Sequence, residues 1–186
     1  IAANAPYDQI YFIFNSSKYG GGGIFNFCSC CYSHTDKKEQ SWWPDYVFVH
    51  EFGHAFAGLA DEYYSSSVTY NEFYPLGVEP WESNITALLN PENLKWKKLV
   101  EPDTPIPTPW NKEKYDKIPR SQSKDKEVLL HKQEYWGKVG AFKGGGYASE
   151  GLYRPYLDCR MFSKSLTGFC PVCSDAIVKI IRFYSE

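Results

Sequence analysis

The chain has 186 residues, 43% hydrophobic and 18% aromatic, which is enough for one domain with a sizeable core. A formal net charge of −2, with no stripe of Lys or Arg, argues against a surface for nucleic acid. No apolar run approaches the roughly 18 residues of a membrane-spanning helix, so no transmembrane segment is predicted. The chain opens at Ile1 without a methionine or a signal-peptide pattern, which indicates a processed or trimmed form of a longer protein.

The six cysteines fall into two groups, a pattern that fits either disulfides in an exported protein or a structural zinc site. They are Cys28, Cys30 and Cys31 near the start and Cys159, Cys170 and Cys173 near the end. The many aromatic residues, and the motif at residues 50–54 described below, favour export. We therefore expect a secreted, cell-surface or periplasmic protein.

The first predicted elements are two strands separated by glycines. Residues 7–14 are aromatic and β-branched and predict a largely buried strand. Gly20 to Gly23 then predict a turn into a second strand over 24–30. A phosphate loop is disfavoured because no Lys-Ser/Thr and no helix follow. Glycines at a strand start let another backbone approach closely. That backbone could be a substrate peptide pairing with an edge strand, which makes Gly22 and Gly23 substrate-binding candidates.

A helix follows the polar residues 33–41, which predict a loop. Asp45 is a plausible N-cap, and the helix should run to about Ala57, where Gly58 would end it. Apolar residues on several faces predict that this helix is buried nearly all round.

This helix carries the clearest chemical signature, His50-Glu51-x-x-His54. Residues four apart lie on one helical face, so both imidazoles can bind one zinc ion. The Glu51 carboxylate can then take a proton from a water on that ion. The alternative is a helix with two ordinary hydrogen-bonded histidines. It is disfavoured because two of only four histidines flank a glutamate at this spacing.

A zinc site needs a third protein ligand. Asp61, seven residues after His54, is the preferred candidate, and Glu62 is the near alternative. A gluzincin would instead take a glutamate from a later helix. Glu72, Glu79 and Glu82 lie at possible distances for that arrangement.

The segment from 63 to 134 is irregular. Short helical pieces are predicted around 90–98, the proline-rich residues 102–109 are extended, and the charged residues 111–127 predict a solvated excursion. Four tryptophans are candidates to organise it: Trp81, Trp96, Trp110 and Trp136. A glycine turn at 144–147 and a C-terminal helix over 173–184, with 173, 177, 180, 181 and 184 on its buried face, complete the prediction.

The run HEFGHAFAGLADEY, residues 50–63, resembles the HExxHxxxGLxDEY pattern of the IgA peptidase family, the igalysin branch of metzincins. Its glycine and acid lie one residue later than in the ordinary metzincin pattern, as Gly58 and Asp61 do here. Further motifs resemble those of the family in the same order. They are YGGGG at 19–23, GLYRP at 151–155, CRM at 159–161 and FCPVC at 169–173.

The resemblance implies an α+β, metzincin-like zincin catalytic domain over residues 1–186. Residues 1–58 would form an upper lobe with a twisted sheet, an edge strand and the HExxH helix. Residues 59–186 would form an irregular lower lobe with a Met-turn and the C-terminal helix. The implied Met-turn places Met161 as an apolar floor beneath the metal. Only 49 residues precede His50, so the N-terminal part of the upper lobe is expected to be absent.

The implied activity is a zinc-dependent endopeptidase with one catalytic Zn²⁺ and Glu51 as general base. Tyr153 is a candidate second donor to the oxyanion, with a packed tyrosine as the alternative. The substrate would be a protein or peptide, such as immunoglobulin A or another host or dietary glycoprotein. A non-catalytic zinc-containing binding module is the alternative from another class, and the intact Glu51 argues against it.

The two cysteine groups leave three alternatives open. A disulfide from Cys159 to Cys170 or Cys173 is expected, in preference to a zinc knuckle built by the first group with Cys170 and Cys173. Redox chemistry at Cys170-x-x-Cys173 is disfavoured because nothing else in the chain is thioredoxin-like.

Overall fold

The computed structural model describes residues 4, 6–32, 43–64, 73–75, 77–165 and 167–185. It is a mixed α+β structure that divides into two compact units. Unit 1 comprises Ile1–Leu59 and Asp175–Glu186, and unit 2 comprises Ala60–Ser174. The strands in the described residues are β1 (Ile10–Asn15), β2 (Gly21–Ile24), β3 (Phe27–Tyr32), β4 (Phe142–Gly145) and β5 (Ala148–Arg154). The α-helices are α1 (Trp43–Ala57), α2 (Lys112–Lys117), α3 (Ser123–His131) and α4 (Pro171–Ser185).

Unit 1 contains a three-stranded sheet in the order β1-β3-β2, with β1 parallel and β2 antiparallel to β3. The first predicted strand is confirmed as β1, but its predicted burial is wrong. Ile13 is 62% exposed and Phe14 53% exposed. The reason is that the described residues cover the faces of β1 mainly at Tyr11. Tyr11 packs on the core of unit 1, stacked on Phe48 of α1, while the residues after it face outward.

The glycine run forms a strand, where the sequence predicted a turn. Gly21 to Gly23 lie in β2, and a turn with Asn26 at φ 66° leads into β3. The close approach predicted for these glycines is made to helix α1. A Cβ on Gly21 would lie 2.4 Å from Val47 Cγ1, and one on Gly23 would lie 2.5 Å from the Glu51 carbonyl oxygen. The alternating period of the strand therefore turns two glycines onto the helix.

Because backbone cannot yield as a flexible side chain can, we expect Gly23→Ala to destabilise the protein. Forced overpacking of this kind costs about 1–3 kcal/mol of unfolding free energy. The matched control is Gly22→Ala, since a Cβ there meets no atom of the described residues within 4 Å. Urea unfolding of the two variants measures the difference. Equal unfolding midpoints and slopes for the two variants would show that β2 is not in close contact with helix α1 at Gly23.

Helix α1 begins at Trp43, so Asp45 lies in its first turn and the predicted N-cap is wrong. There the carboxylate faces the positive end of the helix dipole. The predicted end is confirmed. Gly58 has φ 58°, its N–H donates to the His54 carbonyl at 3.0 Å, and the Leu59 N–H donates to the Gly53 carbonyl at 3.2 Å. The bond of Gly58 to His54, together with the positive φ of the glycine, makes the αL type of helix C-cap.

The predicted all-round burial of α1 is wrong in part. Val47 is buried with Cys30 and Tyr46 in the core of unit 1, whereas Phe48 is 40% exposed. The difference arises because one sheet covers one face of the helix. The loop predicted at 33–41 lies outside the described residues.

Side-chain bonds to the backbone organise the irregular part of unit 2. Lys95 Nζ donates to the carbonyls of Glu82 and Ile85 at 2.8 Å each, and Trp96 Nε1 donates to the Gly140 carbonyl at 2.7 Å. The predicted helical piece at 90–98 consists of two 3-10 turns, Pro91–Asn93 and Lys97–Leu99. The prediction for residues 111–127 is wrong in part, because α2 and the start of α3 lie there and Tyr115 is buried.

Arg154, at the end of β5, is fully buried and packs against aromatic rings of unit 2. Its guanidinium carbon lies 4.5 Å from the centroid of Trp110 and 4.0 Å from that of Phe162. Nη1 donates to the Gly144 carbonyl at 2.9 Å. Trp96 is also buried, but Trp81 is 74% exposed, so its predicted organising role is wrong.

The predicted glycine turn and C-terminal helix are both present. Gly146 and Tyr147, each with positive φ, connect the antiparallel hairpin β4–β5. Helix α4 runs from Pro171 to Ser185, with Cys173 buried near its start. Its predicted apolar face is only partly buried, since Ile181 and Tyr184 are about half exposed, at 49% and 54%.

Candidate metal centre

Helix α1 brings His50 and His54 together on one face. Their Nε2 atoms are 3.2 Å apart, and the two rings meet edge to face. Two nitrogens bound tetrahedrally to one zinc at about 2.05 Å lie about 3.3 Å apart. The pair therefore has the spacing of two ligands of one metal ion.

The second ring nitrogen of each histidine faces a hydrogen-bond partner. His54 Nδ1 lies 2.5 Å from the Leu59 carbonyl oxygen, and His50 Nδ1 lies 3.3 Å from the Tyr46 hydroxyl. A carbonyl only accepts, so His54 Nδ1 carries the proton and Nε2 keeps its lone pair. A carbonyl partner of this kind sets the tautomer that a metal requires, whereas the Tyr46 hydroxyl, which can donate or accept, orients the ring of His50. The Leu59 carbonyl is positioned by the same helix ending that Gly58 creates.

Glu51 lies on the side of α1 that faces β2. A Cβ on Gly21 would lie 3.0 Å from the Glu51 Cγ. Because Gly21 has no side chain, space remains beside the side chain of Glu51. The predicted catalytic carboxylate and the glycine strand are thus neighbours within unit 1. Glu51 is partly exposed, which a group that exchanges protons with a substrate requires.

Asp61 lies in unit 2, two residues past the boundary between the units. It is buried, and its Oδ2 accepts a hydrogen bond from the Tyr147 hydroxyl. The Gly146 N–H donates to its backbone carbonyl at 2.9 Å. Burial, and then the Asp61 carboxylate, raise the pKa of nearby Tyr63 above its usual range, which keeps that phenol protonated. The β4–β5 turn therefore holds the carboxylate in one orientation.

Glu62, the alternative third ligand, occupies a different environment. It is fully buried, and Oε1 accepts from Asn84 Nδ2 at 3.1 Å and lies 3.1 Å from Cys173 Sγ. Asn84 also bonds both the N–H and the carbonyl of Ala60. Oε1 of Glu62 is engaged by these neighbours in unit 2. This favours Asp61 over Glu62 as the third ligand of the histidine pair.

The remaining predicted residues lie in unit 2. Tyr153 pairs with Thr86 through two backbone bonds of 2.9 and 3.0 Å. Met161 is buried, and its carbonyl accepts from the Glu62 N–H at 2.8 Å. Glu79 forms an ion pair with Lys95 at 3.0 Å, and Glu82 accepts from the Tyr74 hydroxyl at 2.8 Å. Glu72 lies outside the described residues.

All six cysteines are free thiols, so the expected disulfide of Cys159 is not formed. The Cys159 and Cys173 sulfurs are 3.7 Å apart, well beyond the ~2.05 Å of a disulfide bond. Cys173 Sγ lies closer to the Glu62 carboxylate, at 3.1 Å from Oε1. Burial, and then Cys159, raise the pKa of Glu62 well above its usual range.

Sequence reasoning missed two residues of this region, Tyr147 and Asn84. The glycine turn was recognised, but nothing in the pattern shows that its tyrosine reaches Asp61. Asn84 opens an Asn-Ile-Thr triplet and is fully buried, so in the folded chain it holds residues 60–62.

Comparison with known proteins gives one family. A family model described as IgA Peptidase M64 matches residues 1–181. No curated protein matches the chain. Among the described residues, no helix combines the length and apolar character needed to cross a membrane.

Proposed function

The chain belongs to the IgA peptidase M64 family, and from this membership we propose that it is a zinc-dependent endopeptidase of the metzincin type. Members are metallopeptidases and act on protein substrates. Beyond membership, we propose which ion the protein binds, how it cleaves the peptide bond and which residues take part. The single observation that carries them is the pair of His50 and His54 Nε2 atoms at 3.2 Å. The Leu59 carbonyl at Nδ1 prepares His54 as a ligand, and the Tyr46 hydroxyl orients the ring of His50.

We propose Asp61 as the third ligand, supported by the family pattern and by its buried, oriented carboxylate. The donor set of two imidazoles and one carboxylate suits zinc. When bound, the ion polarises the scissile carbonyl and lowers the pKa of a water to about 7. Glu51 accepts the proton of that water and delivers it to the leaving amine.

Strand β2 is the proposed support for the substrate backbone. It pairs with β3 along one edge, and among the described residues no strand pairs with its other edge. An extended peptide could add there as a further strand, with Gly22 and Gly23 contributing backbone groups. Tyr153 remains a proposed donor to the oxyanion, and Met161 a proposed floor of the site.

The experiment that tests this function is removal and restoration of the metal. Protein dialysed against a zinc chelator should cleave no member of a peptide library, and added Zn²⁺ should restore cleavage, because the nucleophilic water depends on the ion. Mass spectrometry of the library reports the products. Immunoglobulin A, named in the family description, is the first protein substrate to include. Undiminished cleavage by verified metal-free protein would contradict the proposal.

We also propose that the protein acts outside the cytoplasm, as a secreted, cell-surface or periplasmic enzyme. The support is its composition and the extracellular nature of immunoglobulin A as a substrate. Detection of the native chain in cell fractions would test this.

A further inference from the structure

Unit 2 contains a second group of potential metal ligands, made of Glu62 and the three C-terminal cysteines. One ligand atom from each residue lies within 4.8 Å of every other. Cys159, Cys170 and Cys173 are buried, and so is Glu62. The group combines a turn after β5, the start of α4 with the residue before it, and the segment that follows Asp61. It uses no residue of the proposed catalytic set.

The distances fit a tetrahedral site. Ligands on one zinc, with Zn–S near 2.3 Å and Zn–O near 2.0 Å, place two sulfurs about 3.8 Å apart and a sulfur and an oxygen about 3.5 Å apart. The Cys159 and Cys173 sulfurs are 3.7 Å apart. Glu62 Oε1 is 3.1 Å from Cys173 Sγ and 4.0 Å from Cys170 Sγ. These separations require only small adjustments to accept an ion.

Glu62 supplies an independent observation that points to a cation. Its Oε2 is buried and has no hydrogen-bond partner among the described residues. A buried carboxyl oxygen without a partner is costly, and a bound cation would satisfy this oxygen and compensate the charge of the carboxylate. Arg154, also fully buried, interacts with Glu62 electrostatically, but its own hydrogen bonds go to backbone carbonyls.

The spacing of the cysteines and one backbone N–H also suit a zinc site. Cys170 and Cys173 have that spacing, which two ligands of one structural zinc commonly show. The Cys170 N–H donates to Cys159 Sγ at 3.2 Å. A backbone N–H directed at sulfur stabilises the thiolate that a metal requires.

We propose that Glu62, Cys159, Cys170 and Cys173 form a second, structural zinc site. The site is closed, because four protein ligands complete a tetrahedron and leave no position for a substrate. On binding, each coordinating thiol and carboxylic acid releases its proton to solvent. The bound ion joins the segment after Asp61 to the start of α4. It would thereby fix the backbone that carries the proposed catalytic aspartate.

The site is tested with Co²⁺ in the full chain carrying His50→Ala and His54→Ala. This variant lacks the histidine pair, so the outcome does not depend on the peptidase proposal. We expect one equivalent of Co²⁺ to bind, with the sulfur-to-cobalt charge-transfer absorption that only thiolate ligands give. Zn²⁺ should displace it and abolish the absorption.

Further variants in the same background identify the ligands. Cys173→Ser should reduce the charge-transfer absorption and weaken binding. Glu62→Gln, which keeps the shape of the side chain, should weaken binding while leaving the absorption. The matched control is Cys31→Ser, which removes a thiol of β3 and should change neither. If Cys173→Ser does not fold, the parent and the Glu62→Gln variant decide the question.

Two results would overturn the site. The first is that the unreduced parent binds no Co²⁺, including the case in which only four of its six thiols react with a thiol reagent in denaturant, the mark of a disulfide. The second is that Cys31→Ser abolishes binding as fully as Cys173→Ser.

Discussion

Glu51→Gln is expected to lower kcat/KM for peptide cleavage by about 10²–10⁴-fold, the range that a positioned general acid–base contributes. Glutamine keeps the length and shape of the side chain but cannot accept the proton of the attacking water. The loss should fall on kcat more than on KM, because this proton moves only as the reaction proceeds. Steady-state kinetics on a cleaved library peptide measures both.

The same variant should bind as much zinc as the unmodified protein, because Glu51 is proposed as the base and is not a ligand. Metal analysis therefore separates loss of chemistry from loss of the site. Glu113→Gln, an exposed charge removal on α2, is the control and should keep full activity. Zinc-loaded Glu51→Gln protein with normal turnover would refute Glu51 as the base. Absence of turnover in the unmodified chain with any substrate would favour the non-catalytic binding module.

Features set by local sequence were predictable. The spacing of His50 and His54 and the glycine at position 58 determine the helix face and its end within two turns. The histidine pair and the end of the helix at Gly58 therefore followed from the sequence. The start of the helix did not follow, because Asp45 suits a first turn as well as an N-cap.

Features set by distant contacts were not predictable. Tyr147 reaches Asp61 across 86 positions, and Cys173 reaches Glu62 across 111. No periodicity carries such information. The exposure of β1 could not be predicted either, because an apolar strand has the same sequence pattern whether or not other elements cover it. In unit 2, individual side-chain hydrogen bonds such as those of Lys95 hold the backbone. The regular hydrogen-bonding of helices and strands, which a hydrophobic pattern can reveal, is replaced there.

Asp61→Ala should lose one equivalent of zinc relative to the unmodified protein, and peptide cleavage with it. Loss of a mere supporting partner already costs about 10–100-fold in metal affinity, and removal of a direct ligand should exceed that. Zinc titration against a competing chelator measures the change. Asp61→Asn should also weaken binding, although its amide oxygen can still accept the hydrogen bond of Tyr147.

Variants of the later glutamates show whether Asp61 or a glutamate is the third zinc ligand. Glu79→Gln and Glu82→Gln should retain zinc, because their carboxylates are engaged with Lys95, Ala87 and Tyr74 within unit 2. Retention of zinc by Asp61→Ala, with its loss from either glutamine variant, would instead identify a gluzincin. The backbone bond from Gly146 to the Asp61 carbonyl survives the alanine change, so the variant should fold. Loss of metal would then report the missing carboxylate alone.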